Sequence, residues 1–238
     1  MTALGLHTFQ IRAWRTKAST LPAGHPHRRE GARRVLNVAV AGIGLVMAAP
    51  VMLVVAVLVK LTSPGPVFYR QVRVGLCTRA SHGGNFRRRQ DIGGKPFTIY
   101  KLRTMRVAKQ GEDVDSWASE GDPRITPVGA FLRKTRLDEI PQLFNVLLGD
   151  MNVVVPRPEQ PGLFQQLRDQ VPDYAHRQRV RPGITGHAQV TLQYDTCVDD
   201  VRKKVVADLE YIKRQSVAED LKIMLKTAPV IVFRKSGW

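Results

Sequence analysis

Cysteine is almost absent: Cys77 and Cys197 are the only two in 238 residues. Two widely spaced cysteines give neither a disulfide framework nor a zinc-ligand spacing, so a reducing compartment is expected. His25 and His27 flank Pro26 with no third ligand at a matching spacing, and they read as tail residues rather than metal ligands. Aromatic residues make up only 7% of the chain. No array of stacking aromatics and no helix-turn-helix pattern occurs, which leaves a nucleic-acid-binding module without a recognition motif. Acidic residues are also scarce, 20 against 37 Lys and Arg, for a net charge of +17. That imbalance calls for anionic partners: nucleic acid, an acidic membrane surface or phosphorylated substrates. No internal repeat is present.

What the chain does have is an ordered series of segments. Residues 1–34 carry seven basic residues and one acidic residue, and read as a flexible basic arm. Residues 35–59 form a run of 25 without a charge, longer than a bilayer crossing needs. The run is too long for a cleaved signal peptide and lacks a convincing small-residue cleavage site. Pro50 lies near its middle, with basic residues on both flanks: Arg28, Arg29, Arg33 and Arg34 before it, Lys60, Arg70 and Arg73 after it. A straight span would put one cluster on the wrong side of the membrane, whereas a helix–break–helix hairpin keeps both on one side. A proline-kinked spanning helix is the competing reading, and the residues alone do not choose between them.

Beyond the run, Ser63-Pro64-Gly65-Pro66 is a rigid turn, and residues 67–69 and 97–102 have β-like patterns. Between them, residues 75–94 are rich in Gly and Arg and read as an exposed loop, with Arg87, Arg88 and Arg89 a solvated or lipid-facing patch. Residues 107–121 form a polar, acidic loop. Thr126 caps a short helix opened by Pro127, and helical patterns return at 160–171 and 199–215. Ser216 with Glu219 opens a last helix, which Pro229 interrupts before an amphipathic, interface-seeking tail containing Arg234, Lys235 and Trp238. The fold expected is mixed α/β and helix-rich. Residues 35–62 are expected to form a membrane segment, and residues 63–238 a small domain with amphipathic interfacial helices.

The densest chemistry lies in TPVGAFLRKTRLDEIPQLFNVLLGDMNVVVPRP, residues 126–158. Asp138 and Glu139 adjoin, with Arg133, Lys134 and Arg136 upstream and Arg157 downstream between two prolines. Asp138 is placed to cap a helix through Leu143, Phe144, Leu147 and Leu148, with Pro141 in its first turn and Gly149 as its stop. A helix N-terminus favours both ionised carboxylates and phosphate. One carboxylate could then attack phosphorus while the other holds Mg²⁺. An ordinary N-cap followed by a favourable first-turn Glu is the plain structural alternative.

These segments together resemble the bacterial sugar transferase family, the monotopic polyprenyl-phosphate phosphoglycosyl transferases that start glycan assembly on a lipid carrier. The resemblance rests on SPGPVFYRQVRVG (63–75), GKPFTIYKLRTM (94–105), DPRITPVGAFLRKTRLDEIPQLFNVLLGDM (122–151), PRPE (156–159) and RPGITGHAQV (181–190), and covers about residues 33–233. It implies transfer of a sugar-1-phosphate from a UDP-sugar to undecaprenyl or another polyprenyl phosphate, with release of UMP. That would be the first membrane step of exopolysaccharide, capsule, O-antigen or glycoprotein glycan synthesis. It implies Asp138 as nucleophile carrying a phosphosugar, Glu139 as ligand of Mg²⁺, and Arg133 and Arg157 as phosphate binders. Lys101 and Arg103 would further line the site. It also implies a re-entrant hairpin turned at Pro50, and a catalytic domain on the cytoplasmic face of the bacterial inner membrane, with no nucleic acid partner. Self-association is left open.

The residue types suit that chemistry. A carboxylate attacks a diphosphate only when the charge is neutralised, which Mg²⁺ and paired arginine contacts supply. A covalent intermediate also spares the soluble nucleotide sugar and the lipid phosphate from occupying the site together. The sequence departs from the family pattern at Asn152-Val153-Val154-Val155, where Ser-Leu-(Val/Ile)-Gly is common, at His187, where Trp or Leu is common, and in the longer 75–94 loop. It resembles a minimal catalytic version without the extra spanning helices of larger relatives. A tethered nucleic-acid binder would account for the charge, and a non-enzymatic scaffold for the anchor and tail. Neither needs a carboxylate dyad among arginines.

Overall fold

The computed structural model describes residues 27–77, 93–107, 122–192 and 197–233. Most of the basic arm, Arg87, Arg88 and Arg89 with their loop, the acidic 108–121 segment, and Arg234, Lys235 and Trp238 lie outside the described residues. Helices and short strands mix, as expected, with the helices dominant.

Helix α1, His27–Thr62, is 36 residues long and is apolar enough over Glu30–Thr62 to cross a membrane. It begins eight residues ahead of the apolar run, so that Arg28, Arg29, Arg33 and Arg34 lie within the helix. The expected break at Pro50 is not seen: the proline lies inside one continuous helix. It deprives the Val46 carbonyl of its partner, and the hydrogen-bond ladder on either side carries the helix across. Both halves of α1 pack on the same domain. Toward the N-terminus, buried Arg33 pairs with Asp220 at 2.7 Å, Asn37 Oδ1 accepts from Val153 N at 2.6 Å, and Ala41 joins a cluster with Val146, Met151 and Tyr211. Toward the C-terminus, Val55 and Val59 pack with Leu102 and Leu132. Between these anchorages Val46, Met47, Leu53 and Val54 are exposed.

Strands β1 (Phe68–Val74) and β2 (Pro96–Leu102) form an antiparallel ribbon in which Tyr69 faces Lys101. Helix α2 (Pro127–Thr135) is capped by the Thr126 hydroxyl, which accepts from Gly129 N at 2.9 Å, with Pro127 in its first turn. A 3₁₀ turn, Leu137–Glu139, leads into α3 (Gln142–Leu148). Strand β3 (Asn152–Val154) pairs in parallel with β4 (Gly183–Thr185), a pairing that the short apolar runs do not reveal. Between them lie α4 (Pro161–Gln170) and a second 3₁₀ turn, Tyr174–Arg179. The last described elements are α5 (His187–Thr191), α6 (Val198–Arg214) and α7 (Val217–Phe233). Ser216 caps α7 through Glu219 N at 3.2 Å, and α7 continues through Pro229 where the sequence expects an interruption. Phe131, Phe144, Leu148, Leu221 and Leu225 stand exposed on α2, α3 and α7.

Candidate active site

The dyad is built by a reversal between two helices. Helix α2 ends at Arg136, a non-glycine residue in the left-handed region at φ 58°. Its N–H bonds back to the Arg133 carbonyl at 3.2 Å. Asp138 does not cap the following helix as the sequence suggests. It lies inside the 3₁₀ turn, with no side-chain cap bond at the α3 N-terminus. Pro141 supplies the reason: it has no N–H for the Leu137 carbonyl, which accepts from Ile140 N at 3.3 Å instead, a tighter closure. Regular α-helix starts only at Gln142. Gly149, at φ 89°, then ends α3 as expected.

Three ties hold this unit in place. Asn145 of α3 donates to Thr98 O at 2.7 Å and accepts from Tyr100 N at 3.2 Å, locking α3 to the strand that carries Lys101. Arg34 of α1 donates to the Val146 and Leu147 carbonyls at 2.6 and 2.9 Å, placing a cation at the C-terminal end of α3. On α2, a Cβ on Gly129 would meet Thr104 O at 1.9 Å, so only glycine lets that helix lie so close to Thr104. One turn on, Arg133 Nε donates to Thr104 Oγ1 at 2.9 Å.

Asp138 and Glu139 are both buried. Arg157 grips Glu139 with two bonds, Nη1 to Oε2 at 2.7 Å and Nη2 to Oε1 at 2.5 Å, and Lys101 Nζ reaches Oε1 at 3.0 Å. Burial disfavours the Glu139 charge, but Arg157 and Lys101 overcome it and hold the carboxyl well below its ordinary range. Burial likewise works against the Arg157 charge, and Glu139 more than offsets this, raising the guanidinium. Asp138 behaves oppositely. Burial first, then the Glu139 charge, push it up to about 6 against the pull of Lys101, Arg157 and Arg133. Its Oδ1 is buried without a hydrogen-bond partner. A carboxyl near 6 is still mainly ionised at neutral pH, but at Asp138 burial outweighs the favourable single turn of helix and brings its titration toward neutrality.

Three predicted residues thus gather around the dyad's chemistry: Lys101 and Arg157 on Glu139, with Arg133 and both of these acting on Asp138. Arg103 is placed otherwise. Its guanidinium donates to the Ser63 and Pro64 carbonyls at 2.6 Å each, bracing the turn at the end of α1.

A second ionic cluster lies behind Arg157, and the sequence reading did not single it out. Arg177 pairs with Asp208 at 2.8 Å and with Glu159 at 3.3 Å, and Lys204 approaches Glu159 at 3.7 Å. Burial would raise Glu159, but Lys204, Arg177 and Arg73 bring it down to about 2. Asp208 is raised by burial in spite of Arg177. Glu159 stands in the PRPE motif, but nothing in the local pattern marks Arg177 or Asp208, which meet only after folding.

Magnesium prefers one or two carboxylates plus phosphate oxygens and water over an all-protein cage. The site fits that habit. Among the described residues no group of three or more Asp, Glu, His or Cys side chains is placed to hold a metal. Asp138 does, however, offer an unpartnered carboxylate oxygen beside Glu139. Both Glu139 oxygens are taken by cations, which a diphosphate could draw onto itself.

The sequence profile of the bacterial sugar transferase family matches residues 28–234. A UDP-glucose:undecaprenyl-phosphate glucose-1-phosphate transferase of Caulobacter vibrioides is 41% identical over 222 residues, covering 91% of this chain and 77% of its own. A UDP-N-acetylgalactosamine-undecaprenyl-phosphate N-acetylgalactosaminephosphotransferase of Aeromonas hydrophila is 40% identical over 200 residues, 84% of this chain and 43% of its own. A UDP-glucose:undecaprenyl-phosphate glucose-1-phosphate transferase of Escherichia coli is 39% identical over 198 residues, 82% of this chain and 39% of its own. The chain therefore spans less than half the length of the last two.

Proposed function

The chain belongs to the bacterial sugar transferase family, and from that premise we propose that it transfers a sugar-1-phosphate from a UDP-sugar to a polyprenyl phosphate, with undecaprenyl phosphate the acceptor named for its relatives. The observation that carries this reading is the unpartnered, buried Oδ1 of Asp138 beside a Glu139 clamped by Arg157 and Lys101.

Transfer proceeds in two displacements. Asp138 attacks the phosphorus that bears the sugar, a P–O bond to the nucleotide breaks, and UMP leaves. The lipid phosphate oxygen then attacks the same phosphorus, the bond to Asp138 breaks, and a polyprenyl diphosphate sugar departs. Burial readies Asp138 for the first step by removing the water that would solvate its charge. Lys101, Arg133 and Arg157 orient the diphosphate and balance its charge. Magnesium, held by Glu139 together with substrate phosphate oxygens, would neutralise charge that develops on the transferring group.

The reading also assigns a topology: α1 dips into the cytoplasmic leaflet of the inner membrane and keeps both of its ends on the same face, with the hydrogen bond missing at Pro50 letting the continuous helix kink rather than break. Two observations support it. Basic residues stand at both ends of the apolar run, and both ends of α1 anchor on one domain, through Arg33 and Asn37 at one end and Val55 and Val59 at the other. A straight span would set ~30 Å of hydrocarbon between two such anchorages. The exposed Phe131, Phe144, Leu148, Leu221 and Leu225 would then lie at the headgroup level, near the acceptor phosphate.

The two sugars named for the relatives differ while the identities, 41% and 40%, do not, so overall similarity does not select the donor. A panel of UDP-sugars assayed for UMP release in the presence of undecaprenyl phosphate tests the function and identifies the donor. Release from at least one donor, dependent on lipid, is the expected result; no release from any would refute the reading.

A further inference from the structure

Arg157 meets Glu139 only while the segment Pro156-Arg157-Pro158-Glu159 keeps one conformation. That segment belongs to no helix or strand, and its two prolines bring no N–H groups. Its four consecutive carbonyls nevertheless each accept a hydrogen bond from elsewhere in the chain. Pro156 O accepts from Gly183 N at 2.9 Å, and Glu159 O from Val74 N at 2.9 Å. The two inner carbonyls are served by side chains: Arg157 O accepts from Arg177 Nη2 at 3.4 Å, and Pro158 O from Arg73 Nη1 at 3.4 Å.

Arg177 is the hub of this arrangement. Its side chain is 1% exposed and stands 5.0 Å from the centre of the Tyr174 ring. The Nε donates to Asp208 on α6, Nη1 to the Glu159 carboxylate, and Nη2 to the Arg157 carbonyl. One rigid guanidinium thus ties α6, the motif's acid and the motif's main chain into a single geometry. A lysine, with one flexible ammonium, does not reproduce that fork.

We propose that Arg177, braced by Asp208, is a positioning residue: it fixes the main chain at Arg157 and so aims the Arg157 guanidinium at Glu139 and at the substrate diphosphate. The proposal rests on the sugar-1-phosphate transfer reading. If it is right, Arg177 acts through Arg157 and adds nothing once Arg157 is disabled.

The test compares lipid-dependent UMP release and thermal unfolding for the full chain in detergent micelles, using wild type, Arg177→Lys, Arg157→Lys and the double variant. Arg177→Lys is expected to lower kcat/KM by about 10–100-fold, since a small misplacement of a catalytic group costs that much. The double variant should match Arg157→Lys within about two-fold, the signature of residues acting as one unit. Wild-type activity in Arg177→Lys, or a double variant losing the product of the two single losses, overturns the proposal. Should Arg177→Lys fail to fold, Asp208→Asn keeps shape and a hydrogen-bond acceptor. It should lose activity non-additively with Arg157→Lys, and additive losses there are equally fatal. A wild type that releases no UMP from any donor refutes the transfer reading itself, and this proposal with it.

Discussion

Asp138→Asn should make the protein inactive and more stable at once. The wild-type carboxyl is buried, its Oδ1 lacks a partner, and Glu139 adjoins it. Its pKa rises from 3.8 to about 6. A carboxyl whose folded value lies above its unfolded value binds its proton more tightly in the folded state. Stability therefore falls as pH rises through the window from about 4 to about 6, and the full penalty persists above it. Two units at about 1.36 kcal/mol each set a ceiling of about 3 kcal/mol. Asparagine carries no charge, so its advantage should be near zero at pH 4 and reach about 1–3 kcal/mol above pH 7. At about 2–4 °C per kcal/mol for a chain of this size, that is a rise of roughly 5 °C in Tm. Thermal unfolding in detergent with EDTA, followed across pH 4 to 8, measures it without a divalent ion to offset the charge. A variant less stable than wild type at pH 8, or a gain that does not change with pH, would refute the argument that burial destabilises the Asp138 charge.

Three further outcomes follow from the same contacts. Glu139→Gln weakens the Arg157 and Lys101 clamp and removes the carboxylate assigned to magnesium. UMP release should fall by roughly 100-fold, comparable with loss of a group supporting a metal site, and EDTA should silence the wild type; full activity in EDTA would show that the cations alone suffice. Arg33→Ala leaves Asp220 buried without its guanidinium, a change that costs about 3–5 kcal/mol; a Tm within 2 °C of wild type would contradict the role of Arg33 as an anchor. With Cys77 and Cys197 replaced by serine, single cysteines at the exposed positions Gly31 and Lys95 should both label from the cytoplasmic side only. Labelling of Gly31→Cys from outside would establish a spanning α1.

The sequence carried the dyad, its flanking cations, the Thr126 and Ser216 caps and the mixed, helix-rich class, because each of these is written within a few residues. It misplaced Asp138 as an N-cap, because the effect of Pro141 on the Leu137 carbonyl shifts the helix start by one turn. Arg103, close in sequence to Lys101, was grouped with it; its guanidinium instead braces the end of α1. The anchoring of α1 by Arg33 and Asn37 was not legible, since Asp220 lies 187 residues from Arg33 and pairs with it only in the packed fold. The same holds for Arg177 and Asp208 behind the PRPE motif. Buried ion pairs across long separations leave no periodic trace, whereas caps and turn residues do.

The most direct test of the account is mass spectrometry of the wild-type protein after incubation with its UDP-sugar donor and no lipid acceptor. The account predicts a sugar-phosphate adduct on the peptide containing Asp138, which disappears when polyprenyl phosphate is added and is absent from Asp138→Asn. A protein that turns over without any such adduct, or that carries it on another residue, would contradict Asp138 as the nucleophile.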